Sequence, residues 1–289
     1  MKDVLVVAFD GFDYDLAKKF GCKNLLDMKE VGSIDNETGM SRIHTEELFA
    51  SFITGETKEV HGIKKYRQGP TTDYGLLPEL FLPTKRMKKL PGMVALDRAY
   101  RSFFNFRNYQ KKDFECDTIF EEISDSKDLF IPSYSTNSSY FARIGFALKE
   151  GLGLDAFKRD IDAEHEQRKK ELFEELEKPH NFLMVHFHKP DIYQHLYTDY
   201  KAVQNWEEKL KPVYRYFDDL AAEVKSKADY ETIVFMSDHG LPEAPEHNTK
   251  AFYASNEAIF QEKEPKITDF FDVVKERCDS GSELTGVEI

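Results

Sequence analysis

Hydrophobic positions along the chain gather in short unbroken runs, and between them lie longer stretches with helical spacing. Val4-Leu-Val-Val-Ala-Phe9, Asn181-Phe-Leu-Met-Val-His-Phe187 and Thr232-Ile-Val-Phe-Met-Ser237 are the clearest runs. Each is short and continuous, the pattern of a strand buried on both faces. Helical spacing predicts helices over Asp13 to Phe20, Asn24 to Glu30, Thr45 to Thr54, Asp117 to Ile123, Leu154 to Glu177, 203–227 and Ile267 to Arg277. In the third of these, Leu48, Phe49 and Phe52 share a face and Gly55 supplies a stop. Leu129-Phe-Ile-Pro132 and Ala251-Phe-Tyr-Ala254 read as two further short strands, and the polar tail from Asp279 is expected to fray. Strands alternating with helices predict an α/β fold with a mostly parallel central sheet and helices on both faces.

One stretch breaks this rhythm. Residues 64–112 carry four prolines, many aromatics and no clear period. They hold twelve Lys or Arg against three Asp or Glu, a local charge of about +9 inside a chain whose net charge is −13. The chain of 289 residues is therefore expected to be a single domain, 1–289, with residues 64–115 inserted as an irregular, basic cap. Such a stretch is either a solvated surface or a cap that draws in an anionic substrate. The acidic balance of the whole argues against a nucleic-acid polymer as partner. No run of apolar residues is long enough to span a bilayer, the start lacks a signal-peptide pattern, and Cys22, Cys116 and Cys278 show no CxxC spacing. A cytoplasmic protein with no membrane partner and inert thiols is the expectation.

The ends of the three long runs carry the chemistry. The first runs into Asp10-Gly11, the second into Asp191 with His195 four residues on, and the third into Asp238-His239-Gly240. Carboxylates and imidazoles at the C-terminal ends of buried parallel strands are how a sheet-based enzyme presents ligands. With His247 added, the set Asp10, Asp191, His195, Asp238, His239 and His247 could hold two divalent metals, roughly 3.5–4 Å apart in such sites. The oxygen–nitrogen mixture suits zinc, manganese, iron or cobalt better than calcium or magnesium, and zinc, then manganese, is the expectation. Thr45 opens a predicted helix, where unpaired backbone N–H groups favour an anion, and it is the candidate nucleophile. Each residue alone has an ordinary explanation: Thr45 as an N-cap, Asp10 as a turn residue, Asp191 and His195 as a helix-surface pair. His186 and His188 read as one core and one loop residue, His165 and His180 as solvated, His61 as structural, and His44 as a residue that could touch substrate.

Taken in order, Asp10-Gly11, Thr45, Thr54-Gly55, His61-Gly62-Ile63, Pro190-Asp191 with His195, Ser237-Asp238-His239-Gly240 and the isolated His247 resemble the type I phosphodiesterase/nucleotide pyrophosphatase branch of the alkaline phosphatase superfamily. The resemblance spans residue 4 to about 63 and about 117 to 255. It implies an alkaline-phosphatase-like fold, with Asp191, His195 and His247 around one metal and Asp10, Asp238 and His239 around the other, contacted by Thr45. It further implies that Thr45 attacks phosphorus and that water then hydrolyses the phosphothreonine. Where the family commonly has an Asn after His-Gly-Ile, this chain has Tyr66, flanked by Lys65 and Arg67. Lys64, Lys65 and Arg67 are accordingly expected to bind a small anionic phosphoester. A metal-dependent phosphomutase of the same superfamily is the alternative, and a degenerate binding protein the non-enzymatic one. No Cys-x-Pro-x-Arg motif supports a sulfatase.

Overall fold

The longest hydrophobic runs become the centre of one sheet. A computed structural model of the protein describes residues 2–63, 109–135, 154–198, 204–243, 246–260 and 264–283. Strand β1 (Lys2–Phe9) is followed by helices α1 (Tyr14–Phe20) and α2 (Lys23–Leu26), strand β2 (Glu30–Ser33), and helices α3 (Thr45–Thr54) and α4 (Lys58–His61). Next come α5 (Ile119–Glu122), β3 (Ser126–Leu129), α6 (Leu154–Leu176), β4 (Phe182–Phe187), α7 (Lys189–Thr198) and α8 (Trp206–Lys227). The chain continues with β5 (Tyr230–Ser237), the two-residue strands β6 (Pro242–Glu243) and β7 (Glu246–His247), β8 (Phe252–Ser255) and α9 (Asp269–Glu283).

The six-stranded sheet has the order β2-β8-β5-β1-β4-β3. β1 pairs in parallel with both β4 and β5, and β3 pairs in parallel with β4. β8 runs antiparallel to β5 and to β2, so it alone is reversed. The predicted α/β fold, mostly parallel with helices on both faces, is thus the observed one. Alternation along β1 divides the core: Leu5, Val7 and Phe9 pack under α1, α6, α7 and α8, whereas Val4, Val6 and Ala8 pack under α3, α5 and α9. Phe9 anchors the first face, with the rings of Phe12, Phe187, Phe217 and Phe235 between 4.9 and 6.1 Å from its own.

Several expected boundaries move. The helix over Asn24 to Glu30 ends at Leu26, and Glu30 instead opens β2, an edge strand with too few apolar residues to register in the pattern. The strand expected over Leu129 to Pro132 lies upstream as β3. Phe130 has φ +64°, which an extended ladder cannot accommodate. The last helix passes through Asp279 to Glu283 rather than fraying there. All three cysteines are free thiols. Among the described residues no helix is long and apolar enough to cross a membrane.

His165 also departs from expectation: it is fully buried on α6, where its Nε2 lies 3.1 Å from the Tyr216 hydroxyl and Phe187 and Phe217 flank the ring. Burial, then the positive charges of Lys189, Arg168 and Lys169, lower its pKa to about 3. The unfolded chain therefore binds this proton more readily than the folded one, and stability falls as pH drops below about 6.5. Between pH 7 and pH 5 this one group should cost about 2 kcal/mol. Urea titrations of His165→Gln should show a correspondingly smaller acid loss than wild type; parallel pH profiles would remove His165 as the cause.

Candidate metal centre and nucleophile

Strand register brings the ligands to one edge. β1 and β5 are paired through Ala8 and Met236, so two residues further on Asp10 stands beside Asp238. β1 and β4 are paired through Phe9 and Phe187, so the next residues, Asp10 and His188, also face each other. Gly11 follows at φ +66°, and a Cβ there would stand 3.0 Å from Asp191 Cβ and 3.1 Å from His239 Cε1. Glycine is required at that point both for the left-handed backbone and for the approach of α7. Its N–H donates to Asp238 Oδ1 at 3.1 Å. Gln194, on α7 between Asp191 and His195, donates to the Gly11 carbonyl and to the Tyr214 hydroxyl, pinning the helix to this turn.

Among the described residues three clusters of possible ligands form, and two of them unite residues expected from the sequence. Asp191, His195 and His247 form one, with His195 Nε2 3.4 Å and His247 Nε2 3.6 Å from Asp191 Oδ1. Asp10, Asp191 and His239 form the other, with His239 Nε2 3.3 Å from Asp10 Oδ1 and 3.4 Å from Asp238 Oδ2. Asp191 belongs to both groups. Thr45 begins α3 with its Oγ1 3.3 Å from Asp10 Oδ1 and 3.1 Å from His239 Nε2. All seven residues expected from the sequence therefore converge. Asp191 and His195 share one helix, and His195 and His247 keep partial exposure while Asp10, Asp191, Asp238 and His239 are buried. Lys64, Lys65, Arg67 and Tyr66 lie outside the described residues.

The donor set fits divalent cations. Among the described residues no hydrogen-bond donor serves the buried Asp191 Oδ1 or Asp238 Oδ2, which is costly unless a cation meets them. Burial, and then repulsion from Asp10 and Asp191, raises the Asp238 carboxyl to about 7 despite the neighbouring His239. Burial alone would depress the His239 imidazole, but Asp238, Asp10 and Asp191 raise it to about 10. His239 Nδ1 lies 2.9 Å from the Gly240 carbonyl, so its hydrogen is fixed there. The proton a metal must displace is then the one on Nε2, facing Asp10 and Thr45. Burial and the charge of His239 lower His247 to about 4, leaving its imidazole neutral as a ligand must be.

Sequence reasoning missed His186 and His188. Both are buried, and both reach Asp10 Oδ2: His188 Nδ1 in direct contact and His186 Nε2 at 3.3 Å. Burial opposes ionisation of Asp10, but the charge of His188 and hydrogen bonds from His186, His188 and His239 hold its carboxyl well below the usual range. Only the pairing of β1 with β4 would have revealed these contacts.

Comparison with known proteins gives the family and the fold. The sequence profile of the type I phosphodiesterase/nucleotide pyrophosphatase family matches residues 4–277. No curated protein matches the chain in sequence. Among solved structures, murine ectonucleotide pyrophosphatase/phosphodiesterase 5 superposes with a TM-score of 0.52 at 12% identity, covering 96% of this chain and 95% of the other. A Pyrococcus horikoshii protein gives 0.51 at 10% identity over 96% and 97% of the two chains. The alkaline phosphatase of the Antarctic bacterium TAB5 gives 0.50 at 10% identity over the same shares. At identities this low the likeness shows the shared fold alone.

Proposed function

Because the chain belongs to the type I phosphodiesterase/nucleotide pyrophosphatase family, and so to the phosphoester hydrolases, we propose that it hydrolyses small phosphodiesters through Thr45 with two divalent cations. Asp191, His195 and His247 would hold one cation, and Asp10, Asp238 and His239 the other, with Thr45 against it. Zinc suits this mixture best, manganese next. Bound there, the cations would supply Lewis acidity and positive charge toward the phosphoryl oxygens.

The observation that carries the reading is the place of the Thr45 hydroxyl, at the first residue of a buried helix and in contact with both Asp10 and His239. The first amides of α3 have no partner within the helix, because the ladder begins with Leu48 N–H donating to the His44 carbonyl. They are placed to donate to phosphoryl oxygens at the positive end of the helix dipole. The carboxylates of this turn are drawn aside: Glu46 pairs with His44 Nδ1 at 2.7 Å, and Glu47 accepts from the Ser41 N–H at 2.6 Å. Thr45 Oγ1 attacks phosphorus, the bond to the leaving alcohol breaks, and a phosphothreonine ester forms. Water hydrolyses that ester, which frees Thr45 and the phosphate monoester.

An inactive Thr-to-Ala form of murine ectonucleotide pyrophosphatase/phosphodiesterase 5 has been solved in complex with AMP. Nucleotide esters are therefore the first substrates to try. The test is a panel of bis-p-nitrophenyl phosphate, nucleotide diesters and p-nitrophenyl phosphate, assayed with zinc and with manganese. Hydrolysis of diesters ahead of monoesters supports the reading; no turnover of any member with either metal overturns it.

Residues 64–115 would act as the cap. In an acidic chain, local cations are needed to draw an anion toward the site. Neutralising Lys64, Lys65 and Arg67 together should raise KM several-fold at low salt, with a smaller change in kcat and a gap that closes as salt is added. Unchanged KM at low salt would return this stretch to ordinary solvated surface.

A further inference from the structure

Asp10 is held from behind by a buried chain of donors outside the ligand set. Its Oδ1 faces Thr45 and His239, while its Oδ2 faces the imidazoles of His186 and His188. His186 is in turn met by Arg168 of α6, whose Nη1 lies 2.8 Å from the His186 carbonyl oxygen and 3.4 Å from His186 Nδ1. Arg168 is 3% exposed. Its Nε contacts Glu164 one turn earlier, and its guanidinium lies 4.6 Å from the centre of the Phe130 ring. On another side the His186 ring meets Phe49 of α3 edge-on, 4.8 Å between centres. The imidazole is therefore fixed in place by groups from two helices.

The guanidinium decides the tautomer. Arginine keeps its protons in a folded protein, so it can only donate. A hydrogen on His186 Nδ1 would set two donors against each other in a buried position. The hydrogen therefore sits on Nε2, the atom 3.3 Å from Asp10 Oδ2. This also argues against Asp10, His186 and His188 as a third cation site, although their ligand atoms lie close enough together for one. A ligand imidazole must offer a lone pair, and His186 offers an N–H. His188 is hydrogen-bonded to Oδ2 and the His186 Nε2 faces the same oxygen at 3.3 Å, which leaves Oδ1 as the oxygen that faces the site.

We propose that Arg168 and His186 are positioning residues: together they hold the Asp10 carboxylate so that Oδ2 stays against the buried imidazoles and Oδ1 is turned toward the cation and Thr45. This role rests on Asp10 being a metal ligand, as proposed above. Partners of this kind typically change metal affinity by about 10–100-fold.

Competition of the purified protein with a chromophoric chelator for zinc provides the test, read alongside circular dichroism and thermal melting. Wild type should bind two equivalents. His186→Leu should weaken one of them by about 10–100-fold. His186→Gln places an amide N–H near the position of the lost Nε2–H and should recover affinity to within a few-fold of wild type. Arg168→Met leaves every ligand intact and should weaken the same equivalent by a smaller factor. If His186→Leu fails to fold, the Gln and Arg168→Met variants decide. Unchanged zinc affinity in His186→Leu or in Arg168→Met overturns the proposal, and so does loss of a whole equivalent in both the Leu and Gln variants, which is how a direct ligand behaves. A wild-type protein that binds no zinc overturns the metal-site reading along with it.

Discussion

Thr45→Ala is expected to lower phosphodiester turnover by about three to six orders of magnitude, the range for loss of an enzyme's nucleophile. The substitution removes the one hydroxyl that, among the described residues, meets both Asp10 and His239, at 3.3 and 3.1 Å, and leaves the backbone amides of α3 in place. Binding at those amides and at the cations survives, so KM should change far less than kcat. Zinc content should also stay close to wild type, because carboxylates and imidazoles supply the main donors. Thr45→Ser keeps the oxygen but loses the methyl group that fixes its rotamer, and should retain part of the activity. Rapid-quench experiments on wild type should show a burst of released alcohol wherever hydrolysis of the phosphothreonine is the slower step. An Ala variant turning over at the wild-type rate would sink the covalent mechanism while leaving metal-assisted hydrolysis open.

What could be read from the sequence follows the physical reach of each signal. β1, β4 and β5 announce themselves because a strand buried on both faces must be apolar throughout, and the candidate ligands at their ends stand out for the same reason. α3 is legible at both ends, with Thr45 at its start and Gly55 at φ +69° as its left-handed stop. β2 and β3 are not, since an edge strand pairs on one side only and tolerates Glu30, Ser126, Lys127 and Asp128. His186 and His188 sit in and just after an apolar strand, where an isolated histidine looks like filler. Their contact with Asp10 is a product of strand register, which a single sequence does not encode locally. Buried His165 is not legible because most of the charged residues around it on α6 lie toward solvent, whereas its own position, like that of Arg168, turns inward.

Removing the metals should abolish activity, and the ligand variants should differ in how they do so. Asp191 contributes to both donor groups, so Asp191→Ala should lower metal content below that of Asp238→Ala, as elemental analysis of purified protein would show. Stability should respond to the same residues with opposite sign depending on the metal. Burial, Asp10 and Asp191 raise Asp238 from its ordinary carboxylate range to about 7, so in chelated protein stability falls as pH rises from about 4 through 7. Asp238→Asn is neutral at every pH and escapes that loss. At pH 8 the chelated variant should therefore be more stable than chelated wild type by on the order of a few kcal/mol, and should melt at a higher temperature. With saturating zinc the order should reverse, because a ligand at about a thousand times its Kd adds about 4 kcal/mol to the form that binds it. A crossing of the two melting curves would mean that the three buried carboxylates are kept at a cost to the fold that the cations offset. If Asp238→Asn were less stable with and without zinc, Asp238 would be a structural residue, with Gly11 and not a cation as its partner.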